Sequence, residues 1–331
     1  MATTLSSGFT IYNEWVQLGF LERIAQNING FNANSNNAIN LTTQDLVGDF
    51  SEEAFFAEIA TAKMIFDRDK NGIGAVTPEA LGDIETVIPQ LPTRFGPFQS
   101  TRQAFLDKGK SPEEFSRLLG VALADNQMAD MLNTGIAAFV AAVQHGGKMV
   151  VGGGSAGAAS LSYTSLIDGM ALYGDRIDEI ACFVMRGKDY FGLMAGNVTA
   201  ATIDSVAGAT LNAGGVATFG KPVLVTDSPA LLATGAAAKD SGAVLALTKN
   251  AITVAAGNDL YVESQTELLK ENILINWQGE GNYTLRLKGY SFDKALAAGG
   301  ITRDNAADGT KWTQNVTSEK NSGGGVIITK L

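Results

Sequence analysis

Gly152-Gly153-Gly154-Ser155-Ala156-Gly157 is the stretch with the most chemical promise, because it fits two templates at once. As G-x-G-x-x-G it would cradle a dinucleotide pyrophosphate on backbone N–H groups; as G-x-S-x-G it would lift Ser155 on a sharp turn as a nucleophile. Both templates ask for surroundings that are missing. Met149-Val150-Val151 is short for the strand that must precede such a turn, and no βαβ alternation flanks it. The one histidine, His145, precedes the serine, whereas an α/β-hydrolase places its histidine after it. A triglycine run satisfies such patterns cheaply, so the stretch reads as a flexible joint. His145 falls in the last turn of a helix, where an imidazole meets the negative end of the dipole and caps it.

Asp67-Arg68-Asp69-Lys70-Asn71-Gly72 opens as a calcium loop would, with oxygen ligands at the first, third and fifth positions and glycine at the sixth. Its twelfth position is Pro78 where a bidentate glutamate is needed, and Glu79 comes one residue late, so an ordinary turn accounts for it. Cys182 lies among Ala181, Phe183 and Val184 with no histidine or second cysteine to lower its pKa, and reads as a buried inert thiol. The pairs Glu52-Glu53, Glu113-Glu114 and Asp178-Glu179 are adjacent, which turns their side chains about 100° apart on a helix and to opposite faces on a strand. None is a catalytic dyad by itself. No catalytic, cofactor-binding or metal-ligating residue is assigned, and the sequence points away from an enzyme.

The elements that could position any chemistry are clearer. Ser111-Pro112-Glu113-Glu114 is a helix start, with serine as cap, proline at the first position and glutamate closing a capping box. Apolar residues from Phe115 to Val143 then recur at helical intervals until Gly146-Gly147. A helix from Ser111 to His145 is ~50 Å long, about the diameter of a compact ball of this size, so a flat or elongated molecule is expected. Gly120 and Gly135 inside it are expected to bend or loosen it.

Trp15 to Ile28 predicts a short amphipathic helix, and the seven asparagines between Asn27 and Asn40 read as a flexible arm. Gly48 to Phe105, punctuated by Pro89, Pro92 and Pro97, reads as a protruding β-rich excursion whose strands lie at edges. Further helices are expected at Ser162 to Gly174 and Lys188 to Met194, with strands at Ile177 to Met185 and Lys221 to Asp227. Ile273, Ile275 and Trp277 alternate, as do Tyr283, Leu285 and Leu287, so Gly279-Glu280-Gly281-Asn282 reads as a hairpin turn between them.

Composition narrows the function. A hydrophobic content of 45% against 18% charged residues is ample for a core in a chain of 331 residues. Twenty-four Lys and Arg against 34 Asp and Glu give a net charge of −10, which opposes a tight electrostatic grip on nucleic acid. A single cysteine excludes a disulfide framework and any zinc site built on paired cysteines. No basic region precedes an apolar run at the N-terminus and no stretch reaches the ~18 apolar residues of a membrane span, so synthesis in a reducing cytoplasm and no membrane partner are expected.

The order of several stretches resembles the major capsid proteins of tailed bacteriophages, in the group described as major capsid protein thirteen-like. Gly48-Asp49-Phe50-Ser51-Glu52-Glu53-Ala54-Phe55-Phe56 is similar to the opening of that family's extended loop, and Arg94-Phe95-Gly96-Pro97-Phe98 to its return. Ser111 to Phe115 resembles the start of its spine helix, and Leu166 to Met194 the helix, strand and helix that open its axial domain. Val225 to Leu231 and the tail from Gly289-Tyr290 through Trp312 to Gly325-Val326 continue the likeness.

The resemblance implies an α+β tailed-phage coat fold. It would have an N-terminal arm (1–47), an extended β-loop (48–106), a peripheral-domain part with the spine helix (107–160), and a mixed α/β axial domain (161–235). The remaining axial and peripheral strands and the tail would occupy 236–331. It also implies self-assembly into hexamers and pentamers of an icosahedral shell around double-stranded phage DNA, held non-specifically. Scaffold, portal and decoration proteins would be partners, and the virion capsid, built in the bacterial cytoplasm, the location. The alternative within the same fold is an encapsulin-like nanocompartment shell.

Overall fold

The computed structural model describes residues 13–44, 50–56, 67, 70–75, 83–101, 112–152, 160–200, 220–232, 241–257, 260–268, 271–297, 301–316 and 318–330. Two helices and two sheets dominate an α+β architecture. Helix α1 (Asn13–Asn34) buries Val16, Phe20, Ile24 and Ile28, a stripe at four-residue spacing that makes one continuous apolar side. Helix α2 (Pro112–Gly146) is 35 residues long, about 50 Å at 1.5 Å per residue, so the expected long helix is present. Its expected cap, Ser111, lies outside the described residues.

The glycines of α2 work differently from the expectation of loosened turns. A Cβ built on Gly120 would sit 2.2 Å from the Val16 carbonyl oxygen and one on Gly19 2.6 Å from that of Arg117, so α1 and α2 cross backbone to backbone. Gly135 faces the methyls of Ile252 and Val254 in the same way. These glycines are notches for close packing. Exposed ion pairs beside the crossing, Arg23 with Asp125 at 2.9 Å and Arg117 with Glu22 at 2.8 Å, align the helices and add little energy in water.

The larger sheet runs in the order β1 (Ile39–Gln44), β8 (Ile252–Gly257), β10 (Leu274–Leu287), β3 (Asp83–Thr101) and β2 (Phe50–Phe56), with β9 (Tyr261–Glu267) also paired to β10. Here one expectation is corrected. The predicted turn at Gly279–Asn282 is the middle of β10, which continues unbroken for 14 residues. Gly279 and Gly281 face the ring of Phe95 on β3, where a Cβ would stand 3.4 and 3.3 Å from ring carbons. They admit a close aromatic neighbour, the other meaning of glycine in a strand.

β3 stands between β10 and β2 in the strand order, yet its prolines Pro89, Pro92 and Pro97 keep the one-sided pairing expected of edge strands. Its 19 residues divide between partners: Asp83 to Pro89 pair with β2, and Gln90 onward with β10. Each proline therefore has a strand on one side only, and no ladder is broken. Pro97 sits in a bulge, where Gly96 and Pro97 together oppose Gln278 and Gly96 takes φ +86°, open to glycine.

The asparagine-rich stretch is not a flexible arm. Residues 27–34 complete α1, and a sharp corner then leads into β1, which pairs in parallel with β8. Asn36 and Asn37 hold the corner with φ near 50°, a conformation asparagine tolerates better than most residues. Asn32 stitches it: its amide donates to the Leu41 carbonyl at 2.8 Å and to Asn40 at 3.1 Å, while its oxygen accepts from Leu41 N at 2.8 Å. Asn36 donates to the Ala181 carbonyl at 3.1 Å. Asn32→Ala removes three bonds from a half-buried position and is expected to destabilise by about 1–3 kcal/mol, measurable as a lowered midpoint in urea.

The second sheet has the order β4 (Val150–Val151), β13 (Gly324–Lys330), β7 (Ser241–Thr248), β5 (Ile180–Met185) and β6 (Val223–Val225). Every residue of β5 is buried, and so is β7 after its first residue, which explains their unbroken apolar runs. Helix α3 (Tyr163–Ala171), capped by Ser162, lays Leu166, Gly169 and Met170 on this sheet, and α4 (Gly187–Ala200) follows β5. A short antiparallel pair, β11 (Tyr290–Phe292) with β12 (Trp312–Gln314), and the single turn α5 (Arg303–Ala306) complete the fold. Phe139 of α2 is fully buried with its ring over Gly323, at the entry to β13, so α2 joins the two sheets.

Candidate assembly surfaces

Among the described residues, those with chemical promise do not converge. Ser155 and the rest of the triglycine run past Gly152 lie outside the described residues. Gly152 ends β4 with φ +84°, and a Cβ there would be 2.5 Å from the Ile328 carbonyl, so it is packed against β13. His145 is exposed in the last turn of α2. Asp67, Lys70 and Asn71 are exposed, while Asp69 and Glu79 fall outside the described residues. Among the described residues no group of three His, Cys, Asp or Glu is placed to hold a metal ion.

Cys182 sits in the centre of β5, fully buried, and burial pushes its thiol pKa up to about 12. At neutral pH it stays a thiol, and no thiolate is presented to solvent. A chromogenic disulfide reagent is expected to leave the folded protein unmodified for hours and to titrate one thiol within minutes after unfolding. Rapid native reaction would contradict its placement.

A polar cluster ties α2 to β10. Arg303 Nε lies 2.8 and 2.9 Å from the two carboxylate oxygens of Asp130, and the hydroxyl of Tyr283 donates to Asp130 at 3.1 Å with Thr134 at the same distance. Burial is the main cause that raises the Tyr283 phenol to about 12. The group stays neutral and serves as a hydrogen-bond donor inside the fold.

Two open recesses are found among the described residues. One, of about 300 Å³ on the outer face of β9 and β10, is lined by Tyr261, Glu263, Gln265, Asn276, Gln278 and Glu280 among others. The other, of about 570 Å³, includes Asn36, Asp178, Glu179, Lys221, Lys249 and Lys288. Neither brings a histidine or cysteine to a carboxylate; the first carries only Glu263 and Glu280 as charges, and the second mixes Asp178 and Glu179 with three lysines.

What the structure presents instead is edge and excursion. β2 and β3 pair antiparallel with Phe56 opposite Asp83, and of residues 57–82 between them only 67 and 70–75 are described. Within that span Ile73 is fully exposed. Among the described residues, β1, β2 and β9 each have one strand neighbour in the larger sheet, and β4 and β6 end the smaller. Unpaired N–H and C=O groups on such edges accept a strand from another chain.

A family model described as Gp13-like, major capsid protein 13-like, matches residues 8–327. The chain belongs to this capsid protein family. Its role is that of a shell-forming structural protein of the capsid. The mixed α+β architecture is the fold class the resemblance implied, and within it residues 13–44 pack with α2 and β8. Similar solved structures include the Cyanophage Pam1 capsid asymmetric unit, 12% identical over 87% of this chain and 88% of that one with a TM-score of 0.47. A chain of Mycobacterium phage Bobi is 10% identical over 88% and 89%, with a TM-score of 0.48. A chain from the capsid of a native GTA particle is 12% identical over 87% and 91%, with a TM-score of 0.47. No curated protein matches.

Proposed function

We propose that many copies of this chain associate as hexamers and pentamers into an icosahedral head shell that encloses double-stranded phage DNA. The family match over residues 8–327 carries this reading. In it, α2 is the strut of a peripheral domain, the smaller sheet with α3 and α4 forms an axial domain around the capsomer axis, and the excursion in 48–106 lies over a neighbouring subunit. The exposed strand edges supply backbone donors and acceptors for such contacts. The net charge of −10 suits a container: a surface without a strong cationic grip leaves DNA free to be packed and released. Assembly takes place in the bacterial cytoplasm with a scaffold and a portal protein, and decoration proteins bind outside. No catalytic step belongs to this role.

Electron microscopy of the purified protein and of the source lysate tests it. Rings and closed shells are expected, and nuclease-resistant double-stranded DNA inside the lysate particles. Shells filled with protein cargo would favour a nanocompartment, and a chain that stays monomeric even with its scaffold would overturn the proposal.

A further inference from the structure

Helix α1 has a second apolar side. At about 100° per residue, its buried stripe of Val16, Phe20, Ile24 and Ile28 faces the fold, while Trp15, Leu18 and Leu21 turn away from it at three-residue spacing. These three are 42%, 53% and 43% exposed. Single exposed apolar residues are ordinary on protein surfaces, but three large ones in succession along one helix are the mark of a contact.

We propose that this side of α1 is a subunit interface, and that its occupant is a second copy of this chain. The inference rests on the shell reading and adds to it a named surface. Within the described fold α2 and the larger sheet occupy the inner side of α1 and leave this side exposed. The shell reading, carried by the capsid family match, puts copies of this chain next to one another. Each copy carries a net charge of −10, so contacts between copies repel unless they form where apolar area outweighs charge. Of the charged neighbours of this stripe, Glu22 and Arg23 are drawn off to Arg117 and Asp125 on α2, and Glu14 stays exposed beside it in the first turn. Tryptophan at one end is the residue type most often found at the centre of such contacts.

Trp15 also reports on the interface directly. Of the three tryptophans, Trp277 and Trp312 are 2% and 4% exposed, so quenching of indole fluorescence by acrylamide reads Trp15. On assembly of the wild-type protein the quenching constant is expected to fall several-fold. The double variant Leu18→Glu, Leu21→Glu is expected to keep the circular dichroism and melting behaviour of unassembled wild-type subunits, because both positions are exposed, while its yield of shells by electron microscopy falls at least tenfold. If that variant loses its fold, Leu18→Ser with Leu21→Ser and the wild-type quenching decide. Wild-type yields of shells from a folded double variant, or Trp15 as quenchable in shells as in free subunits, would overturn the inference while leaving the shell reading intact. A wild type that forms no shell overturns both.

Discussion

Gly120→Val is expected to leave little soluble folded protein, and what remains should melt roughly 5–10 °C below wild type. The reason is geometric. A Cβ at this position would stand 2.2 Å from the Val16 carbonyl oxygen and 3.0 Å from the Phe20 nitrogen, and both are backbone atoms of α1 that no rotamer change can move. An ordinary contact needs on the order of 3.5 Å, so α1 must lift by about 1 Å. Lifting opens the face on which Phe20 meets Phe95 edge to face at 6.4 Å between ring centres. Overpacking costs about 1–3 kcal/mol by itself, and losing part of a buried helix face adds several more against a total stability of roughly 5–15 kcal/mol. Gly30→Ala is the internal control: it lies in the same α1 with nothing within 4 Å, and is expected to be neutral or to stabilise by up to about 1 kcal/mol. Thermal melts followed by circular dichroism compare the two. A valine variant as stable as wild type would mean that α1 does not rest on α2 as described.

Much of the fold was legible in patterns that depend on local spacing. The long apolar series after Ser111, the helix, strand and helix of 163–200, and the alternation on both halves of β10 were all readable, because helices and half-buried strands imprint their period on the sequence. Gly146-Gly147 does end α2 as read, but the readings that failed were those in which a glycine or asparagine was taken as local punctuation while its role was set by a distant partner. Gly281 answers to Phe95, nearly two hundred residues away, and Gly120 answers to Val16. Pro92 is tolerated because β3 changes partners along its length. Asn32 spends its amide on Leu41 and Asn40 in a corner that exists because β1 pairs with β8. None of these partners can be inferred from a single position. The chemistry was legible in a different sense. Cys182 in an apolar run read as buried from its neighbours alone, whereas the cluster of Asp130, Tyr283 and Arg303 draws on three separated segments and left no motif.

The apolar series of α2 also shows the limit of pattern reading, since it names Leu119 and Phe139 alike as core. The structure separates them: Leu119 is half-buried, and Phe139 is fully buried. Phe139 sits where the two sheets meet. Its ring lies 2.9 Å from the site a Cβ would take on Gly323, whose neighbours are Ala251 at the start of β8 and the entry to β13. Gly323 in turn donates to the Lys288 carbonyl at 2.9 Å and accepts from Thr248 N at 2.9 Å, which links β10, β7 and β13. Phe139→Ala therefore removes a ring from a junction whose backbone is already fixed on several sides and cannot collapse into the space. A loss of about 3–5 kcal/mol is expected, against less than about 1 kcal/mol for Leu118→Ala on the exposed side of the same helix, where the leucine is 47% exposed. Denaturant unfolding of both variants measures the difference. Because α2 bears on both sheets at this point, the alanine variant should also lose the fixed angle between them, so that subunits which still fold give misshapen or open shells. Closed shells of normal size from a fully folded Phe139→Ala protein would place the control of that angle elsewhere.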